Sequence, residues 1–228
     1  MKLLAFETAT EACSVAVYVD GEVRERHAVA PRQHTALALP WADELLAEAG
    51  VGKSQLDAIA VGIGPGAFTG VRLAVALGQG IALALDKPVL AISTLATLAL
   101  QAKASPDERI LAAIDARMSE IYFGEFVGDA DGLVAANGEE RLLAPQAKPA
   151  VTGEIIGVGT GFGANAGALV SALGGSLLRF DATALPHAAD LARLAARDFD
   201  RGMAIAADGL EPAYLRNKVA LTLVEQGR

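Results

Sequence analysis

The stretch LLAFETATEACSVAVYVDG, residues 3–21, contains the pattern from which we predict the fold. Its first apolar run ends in the carboxylate of Glu7, and a second apolar run follows at residues 13–19. Asp20-Gly21 then supplies a typical hairpin turn. The pattern indicates two strands joined by a short polar loop, with a third strand that returns after the turn.

The same order of features returns in the second half of the chain. Residues 111–115 form another short apolar run that ends in a carboxylate, and residues 120–127 repeat the second strand. Asp131-Gly132 repeats the turn, and a polar break at residues 103–109 separates the two halves. We therefore predict two duplicated α/β units.

The break divides the chain into a first unit of residues 1–103 and a second unit of residues 104–202. We expect the segment of residues 203–217 to pack back on the first unit. Apolar residues at helical spacing predict the connecting helices. These helices cover residues 33–49, 71–85, 93–103, 166–173 and 188–201.

The composition excludes several classes of protein. The 228 residues carry 27 acidic and 19 basic side chains, and this net charge of −8 disfavours a broad phosphate-binding surface. The single cysteine, Cys13, excludes an internal disulfide and a zinc site built from cysteines. The start of the chain has no leader pattern, and the most apolar segment, residues 71–85, is too short to span a bilayer. We expect a soluble cytoplasmic protein.

The loop between the first two strands is a candidate phosphate site. A carboxylate at a strand end, followed by hydroxyl residues and a return strand, can position a metal ion and approach phosphate oxygens. The candidate cofactor-binding residues are Glu7, Thr8, Thr10 and Ser14. The alternative is a polar hairpin that binds no ligand.

A glycine-rich loop, GIGPGAFTG, spans residues 62–70 and leads into the second helix. Free N–H groups at a helix start favour an anion, and Thr69 is the predicted cap. The alternative is a structural turn that lets the helix pack closely on the sheet.

The helix of residues 71–85 is apolar on every side, and such a helix is normally covered on every side. Gly78 and Gly80 would let a second helix approach closely. We therefore predict that this helix and the helix of residues 33–49 form a protein–protein interface. Its predicted residues are Leu37, Trp41, Leu45, Thr69, Arg72, Leu73, Ala76, Leu77 and Gly80. The alternative is that the two helices only cover each other.

The remaining polar residues suggest no metal site. His27, His34 and His187 have no second ligand at metal-binding spacing, and we expect surface or capping roles. Asp115 and Arg117 form either a site pair or an ion pair within one loop.

Six stretches resemble the TsaB (YeaZ) family in their order and spacing, over nearly the whole chain. They are FETATEACSVAV (6–17), RQHTALALP (32–40), GIGPGAFTGVRLAVALGQGIALAL (62–85), ISTLATLA (92–99), IDARMSEIYFGEF (114–126) and PAYLR (212–216). The resemblance implies an actin-like fold (ASKHA, ribonuclease H-like) of two duplicated α/β domains.

The resemblance also implies a function. TsaB-like proteins are non-catalytic partners and scaffolds of TsaD in forming N6-threonylcarbamoyladenosine at position 37 of tRNAs that read codons beginning with adenine. The implied partners are TsaD, the ATPase TsaE, a second copy of the chain when it is alone, and tRNA through the complex. The resemblance implies no cofactor for the chain alone, and a nucleotide at the TsaD interface is left open.

Two departures from the catalytic relative TsaD bear on chemistry. TsaD-like proteins carry a His-x-x-x-His pair at the positions that match Thr94 and Leu98, so we expect no metal. Glu7 stands where most actin-like relatives have aspartate.

Two other functions remain as alternatives. The first is an ATP-dependent phosphotransferase that uses Glu7, Thr8, Asp115 and the loop of residues 159–165, and the second is a metallopeptidase.

Overall fold

The computed structural model describes residues 1–144, 147, 149 and 151–216. Residue 217, where the predicted returning segment ends, lies outside them. The strands are β1 Lys2–Glu7, β2 Ala12–Val19, β3 Glu22–Val29, β4 Ala58–Gly62, β5 Val89–Ile92, β6 Arg109–Arg117, β7 Glu120–Gly128, β8 Val134–Ala136, β9 Arg141–Leu143, β10 Ile155–Val158 and β11 Leu177–Asp181. The helices are α1 His34–Ala49, α2 Phe68–Leu85, α3 Thr94–Ala99, α4 Ala168–Leu173 and α5 Ala188–Asp200.

The two halves of the chain build sheets of the same topology. The first sheet has the order β3-β2-β1-β4-β5, and the second has the order β8-β7-β6-β10-β11, with β9 also paired to β7. In each sheet the first three strands are antiparallel and the last three are parallel. The predicted duplication is therefore confirmed.

The hairpin turn and the start of α2 show how local sequence sets the element bounds. Asp20 and Gly21 both adopt positive φ, 48° and 101°, and this left-handed backbone closes the β2–β3 hairpin as predicted. Helix α2 starts at Phe68, earlier than predicted, and its N-cap residue is Ala67, which provides no side-chain hydrogen bond. The prediction of Thr69 as the cap is therefore wrong, since that residue lies inside the first turn.

Strands β8, β9 and β11 were not predicted. Two of them have only three residues, and β11 reads LLRFD, in which a central arginine interrupts the apolar run. They form through pairing with neighbouring strands, which a single-sequence pattern does not show.

The two sheets are joined by an exchange of helices. Helix α3 belongs to the first half of the chain but packs on β6 and β7 of the second sheet, and α5 from the second half packs on β1 and β2 of the first sheet. Leu98 of α3 and Leu191 of α5 are fully buried in one hydrophobic cluster with both sheets. Although residues 188–201 were predicted to belong to the second unit, α5 covers the first sheet.

Polar contacts attach the start of α5 to the first sheet. Ser14 and Glu25 accept the N–H groups of Ala188 and Ala189, at 2.8 and 3.0 Å. His187 bonds Glu25 at 2.9 Å, and this bond raises the pKa of the His187 imidazole. Burial alone would raise the pKa of Glu25, but its three hydrogen bonds outweigh burial and lower it. These bonds satisfy N–H groups that a helix start leaves without partners.

After α5 the chain returns over the first unit as a strap, which we define as residues 203–216. Ile205 forms a bridge with Val89 at the edge of β5, and Gln79 of α2 donates to the carbonyl of Leu210 at 2.9 Å. The strap therefore covers one side of α2.

The position of α5 on the first sheet can be tested by truncating a buried side chain. Leu191→Ala should lower the free energy of unfolding by about 2–5 kcal/mol, because it removes apolar contacts and leaves a cavity between the sheets. Urea unfolding followed by circular dichroism gives this value. The matched control is Leu178→Ala in β11, where leucine is 54% exposed, and there the loss should stay below about 1 kcal/mol. Equal losses for the two variants would contradict the placement of α5.

Candidate functional site

Glu7, the carboxylate at the end of β1, is turned into the protein. Its side chain accepts the N–H of Ala9 at 2.8 Å and the hydroxyl of Thr94 at 2.9 Å, and only 1% of the residue is exposed. A Cβ at Gly62 would collide with this carboxylate, so the glycine makes room for it. Burial raises the pKa of Glu7 to about 7, although these hydrogen bonds act in the opposite direction.

The two positions that match the TsaD-like histidines are also internal. Thr94 donates its hydroxyl to Glu7 and accepts the N–H of Gly64 at 3.2 Å. Its hydroxyl therefore links the end of β1 to the loop that follows β4. Leu98 is fully buried, and its Cδ2 lies close to Gly159. Among the described residues there is no group of three or more His, Cys, Asp or Glu side chains that could hold a metal ion.

The hydroxyl groups of the predicted phosphate site are engaged within the chain. Thr8 donates to the carbonyl of Gly70 at 2.7 Å, and Ser14 donates to Glu25 at 2.7 Å. Thr10 accepts the N–H of Ala12 at 3.3 Å. All three residues are buried. The structure brings the predicted residues together on one hairpin, where their oxygen atoms hold the local backbone.

The glycine loop of residues 62–70 lies directly on this hairpin. A side chain at Gly66 or Gly70 would collide with the backbone of Ala9 or Thr8. The N–H of Ala67 donates to the carbonyl of Ala9 at 2.6 Å. These contacts fit the alternative in which the glycines allow close packing.

The second glycine loop, residues 159–165, packs in the same way on β6. Side chains at Gly159 or Gly161 would collide with Ala113. The hydroxyl of Thr160 accepts the N–H of Asp115 at 3.1 Å. The carboxylate of Asp115 accepts the backbone N–H of Arg117 at 2.8 Å, so this pair is joined through the backbone rather than by an ion pair.

Helix α2 has a buried face and an outward face. Ala74, Gly78 and Ala82 are buried against the sheet. A Cβ at Gly78 would collide with Val61, so this glycine serves packing within the chain and is not available to a second helix. At Gly80 nothing lies within 4 Å of an added Cβ.

By length and composition alone, the 18 residues of α2 are long and apolar enough to cross a membrane, and 33% of them are buried within the protein. The expectation that this segment is too short is therefore corrected, because the helix begins at Phe68 rather than at Val71.

The outward face of α2 continues onto α1, and we call the combined area the α1–α2 surface. Its side chains are at least partly exposed and recur at three- or four-residue spacing along α2. The residues are Leu37, Leu39, Trp41, Phe68, Thr69, Arg72, Leu73, Ala76, Leu77, Gly80 and Leu83.

Three large apolar side chains on this surface were not predicted: Leu39, Phe68 and Leu83 are 47%, 49% and 67% exposed. Helical spacing from Thr69 and Ala76 would have found Leu83, once the sheet-facing side of α2 was known. Leu45 was predicted to lie at the interface, and this is corrected because the side chain is fully buried beneath α1.

A groove of about 210 Å³ runs between α1 and α2. Leu39, Ile81 and Leu85 contribute apolar walls, and Gly80 opens one side. Lys53 and Asp43 form an ion pair of 2.7 Å at the groove. The two helices therefore do not seal each other completely, and apolar surface remains between them.

The chain is similar in sequence to several known proteins. A family model described as TsaD, tRNA N6-adenosine threonylcarbamoyltransferase, matches residues 27–146. The chain is 39% identical over 225 residues to the tRNA threonylcarbamoyladenosine biosynthesis protein TsaB of Escherichia coli (strain K12), and the alignment covers 96% of both chains. It is 38% identical over 231 residues to TsaB of Haemophilus influenzae, which covers 96% of this chain and 95% of the relative.

A solved structure agrees with these relatives. YeaZ from Pseudomonas aeruginosa superposes with a TM-score of 0.85 at 44% identity, covering 94% of this chain and 99% of that chain. The match confirms the predicted actin-like fold of two duplicated domains. On full-length similarity to named relatives, the chain belongs to the TsaB (YeaZ) family of tRNA threonylcarbamoyladenosine biosynthesis proteins.

Proposed function

We propose that this chain takes part in N6-threonylcarbamoyladenosine biosynthesis as the non-catalytic partner subunit of a TsaD-type transferase. The pair acts in the cytoplasm and modifies position 37 of tRNAs that read codons beginning with adenine. The observation that carries the proposal is the α1–α2 surface, which is apolar, partly exposed and open at the groove beside Gly80.

The α1–α2 surface supports pairing through its apolar composition. A contiguous apolar area is a common sign of a binding site for another protein. Ala76 and Gly80, both exposed on α2, would allow a helix of the partner to approach closely. The same surface serves a second copy of the chain when the transferase is absent, and the two pairings compete.

The Glu7 network supports the absence of independent catalysis. A carboxylate that anchors a metal–nucleotide complex must be charged and accessible, whereas Glu7 is buried and bonded to Thr94. Leu98 occupies the second matched position with a side chain that cannot bind metal. In this proposal the transferase supplies the catalytic groups, and TsaE and tRNA join the pair. The one nucleotide site that this proposal leaves open lies at the interface with the transferase.

Pairing through the α1–α2 surface can be tested at an exposed alanine. Ala76→Glu should abolish association with the TsaD-type protein of the same organism, because a large charged side chain would stand where a helix of the partner must approach closely. Glutamate is a good helix former and Ala76 is exposed, so the fold should survive. Sedimentation velocity of the mixed proteins measures pairing, and mass spectrometry of the modified tRNA measures activity.

The matched control adds the same charge to a remote helix. Ser171→Glu places a glutamate on the exposed side of α4 in the second unit, and it should leave pairing and tRNA modification unchanged. If Ala76→Glu pairs as the unaltered chain does, while circular dichroism shows both variants folded, the α1–α2 surface is not the interface.

The charge state of Glu7 separates this proposal from an ATP-dependent phosphotransferase. Because burial raises the pKa of Glu7 from 4.5 to about 7, the folded chain holds this proton more tightly than the unfolded chain. The resulting stabilisation is fully present below about pH 4.5 and is lost as the pH rises through about 7. Glu7→Gln should therefore gain roughly 2–3 kcal/mol relative to the unaltered chain between pH 5 and pH 8.

Urea unfolding of the two proteins at both pH values measures this difference. Calorimetry of the isolated chain with Mg-ATP should give no heat of binding. Parallel stability curves for the two proteins would show that Glu7 is charged at neutral pH. Micromolar Mg-ATP binding with turnover would favour the phosphotransferase.

A further inference from the structure

An arginine on the α1–α2 surface contacts two aromatic side chains. The guanidinium carbon of Arg72 lies 3.7 Å from the ring centroid of Phe68 and 5.7 Å from that of Tyr214. Its Nε donates to the Tyr214 hydroxyl at 2.7 Å. The two rings are 6.1 Å apart, and each residue is 49% exposed. A planar guanidinium stacks well on aromatic faces, so these contacts restrain an otherwise mobile side chain.

The strap fixes the position of Tyr214 from both sides. The neighbouring Ala213 donates its N–H to the carbonyl of Ile63 at 2.8 Å. Arg216 bonds the carboxylate of Glu120 at 2.5 Å and the carbonyl of Ala116 at 3.1 Å, on the β6–β7 hairpin of the second sheet. The tyrosine is therefore anchored by the tertiary structure and is not merely a neighbour of Arg72.

The terminal amino groups of Arg72 lack a partner within the part of the chain that the structure describes. None of the ion pairs there includes Arg72, and its one hydrogen bond uses Nε. Five other arginines in the same part pair with carboxylates, in a protein where acids outnumber bases by 27 to 19. The Arg72 side chain is thus held in one orientation, and no carboxylate in the described part of the chain pairs with its positive charge.

We propose that Arg72 binds an aspartate or glutamate side chain of the TsaD-type partner, and that Tyr214 positions the guanidinium for this bond. The inference rests on the proposed function, because pairing would cover the α1–α2 surface and remove Arg72 from water. A guanidinium buried without a counter-charge is costly, and a carboxylate matches its planar fork with two parallel hydrogen bonds.

The surroundings favour a protein carboxylate over an RNA phosphate. Phe68, Leu73 and Ala76 make the area beside Arg72 apolar, as expected for a protein interface. Binding of RNA through phosphates needs several basic side chains, and the chain has a net charge of −8. The specific partner is therefore a single acidic side chain that enters an apolar contact.

The test uses the full-length chain with the full-length transferase, in the absence of nucleotide and tRNA. Arg72→Gln should weaken pairing by about tenfold or more, and Arg72→Lys should recover little, because lysine lacks the planar fork. Tyr214→Phe keeps the ring and removes the acceptor of Nε, and it should weaken pairing by about threefold. The matched control is Arg24→Gln, an exposed arginine on β3, which should change the dissociation constant by less than about twofold.

A double-mutant cycle identifies the acidic partner. Each surface aspartate or glutamate of the transferase is changed singly to its amide, and one such change should weaken pairing of the unaltered chain but not of Arg72→Gln.

Full pairing by Arg72→Gln, when Ala76→Glu does not pair, would overturn this inference and leave the proposed function intact. A second assay adds tRNA or nucleotide to the assembled complex. Weaker binding of either by the Arg72→Gln complex, with protein pairing unchanged, would assign the guanidinium to a phosphate and equally overturn the inference. Normal pairing by both variants would show that the α1–α2 surface is not the interface, and it would overturn this inference as well. Failure of the unaltered chain to pair with the transferase would remove the proposed function itself.

Discussion

The structure depends on the exchange of two helices between two sheets. Helix α3 leaves the first half of the chain to cover the second sheet, and α5 leaves the second half to cover the first. Leu98 and Leu191 therefore lie in a single core that neither half could complete alone. The exchange also fixes the geometry of the strand ends, because α3 carries Thr94 to Glu7 and α5 begins on Ser14.

That geometry explains why a phosphate-site pattern serves packing here. In both halves a glycine loop packs beside the strand that carries the carboxylate, Glu7 or Asp115, so close that no side chain fits at the contact. Glu7, one methylene longer than aspartate, reaches the Thr94 hydroxyl and becomes buried. Its raised pKa follows directly, since burial disfavours the charged form. This internal acid joins β1 to α3 through its hydrogen bond with Thr94, and its raised pKa disfavours the charged form that would bind a cation.

The α1–α2 surface has a different origin. A helix that is apolar on every side can bury only one face on a sheet, and α2 buries the side with Ala74, Gly78 and Ala82. The strap covers a second side, and the remaining side stays open next to the groove. Arg72 stands at the edge of that opening, stacked on Phe68 and bonded to the strap. The path of the strap therefore sets the position of the Arg72 guanidinium through Tyr214, which belongs to neither helix.

The sequence by itself determined the repeated strands, the hairpin turns, the family and the presence of an apolar helix without enough cover. The strands, the turns and the apolar helix follow from local spacing, turn chemistry and composition, which neighbouring residues decide. The family follows from the resemblance of six stretches of sequence. The sequence did not show that Gly78 and Leu45 face inward while Gly80 and Leu83 face outward, because the rotation of a helix is decided by the sheet beneath it. Nor did it show the contacts of Arg72 with Phe68 and Tyr214, the hydrogen bond from Thr94 to Glu7, or the packing of α5 on the first sheet. Only the tertiary structure decided these, because each joins residues that lie far apart along the chain and meet through packing.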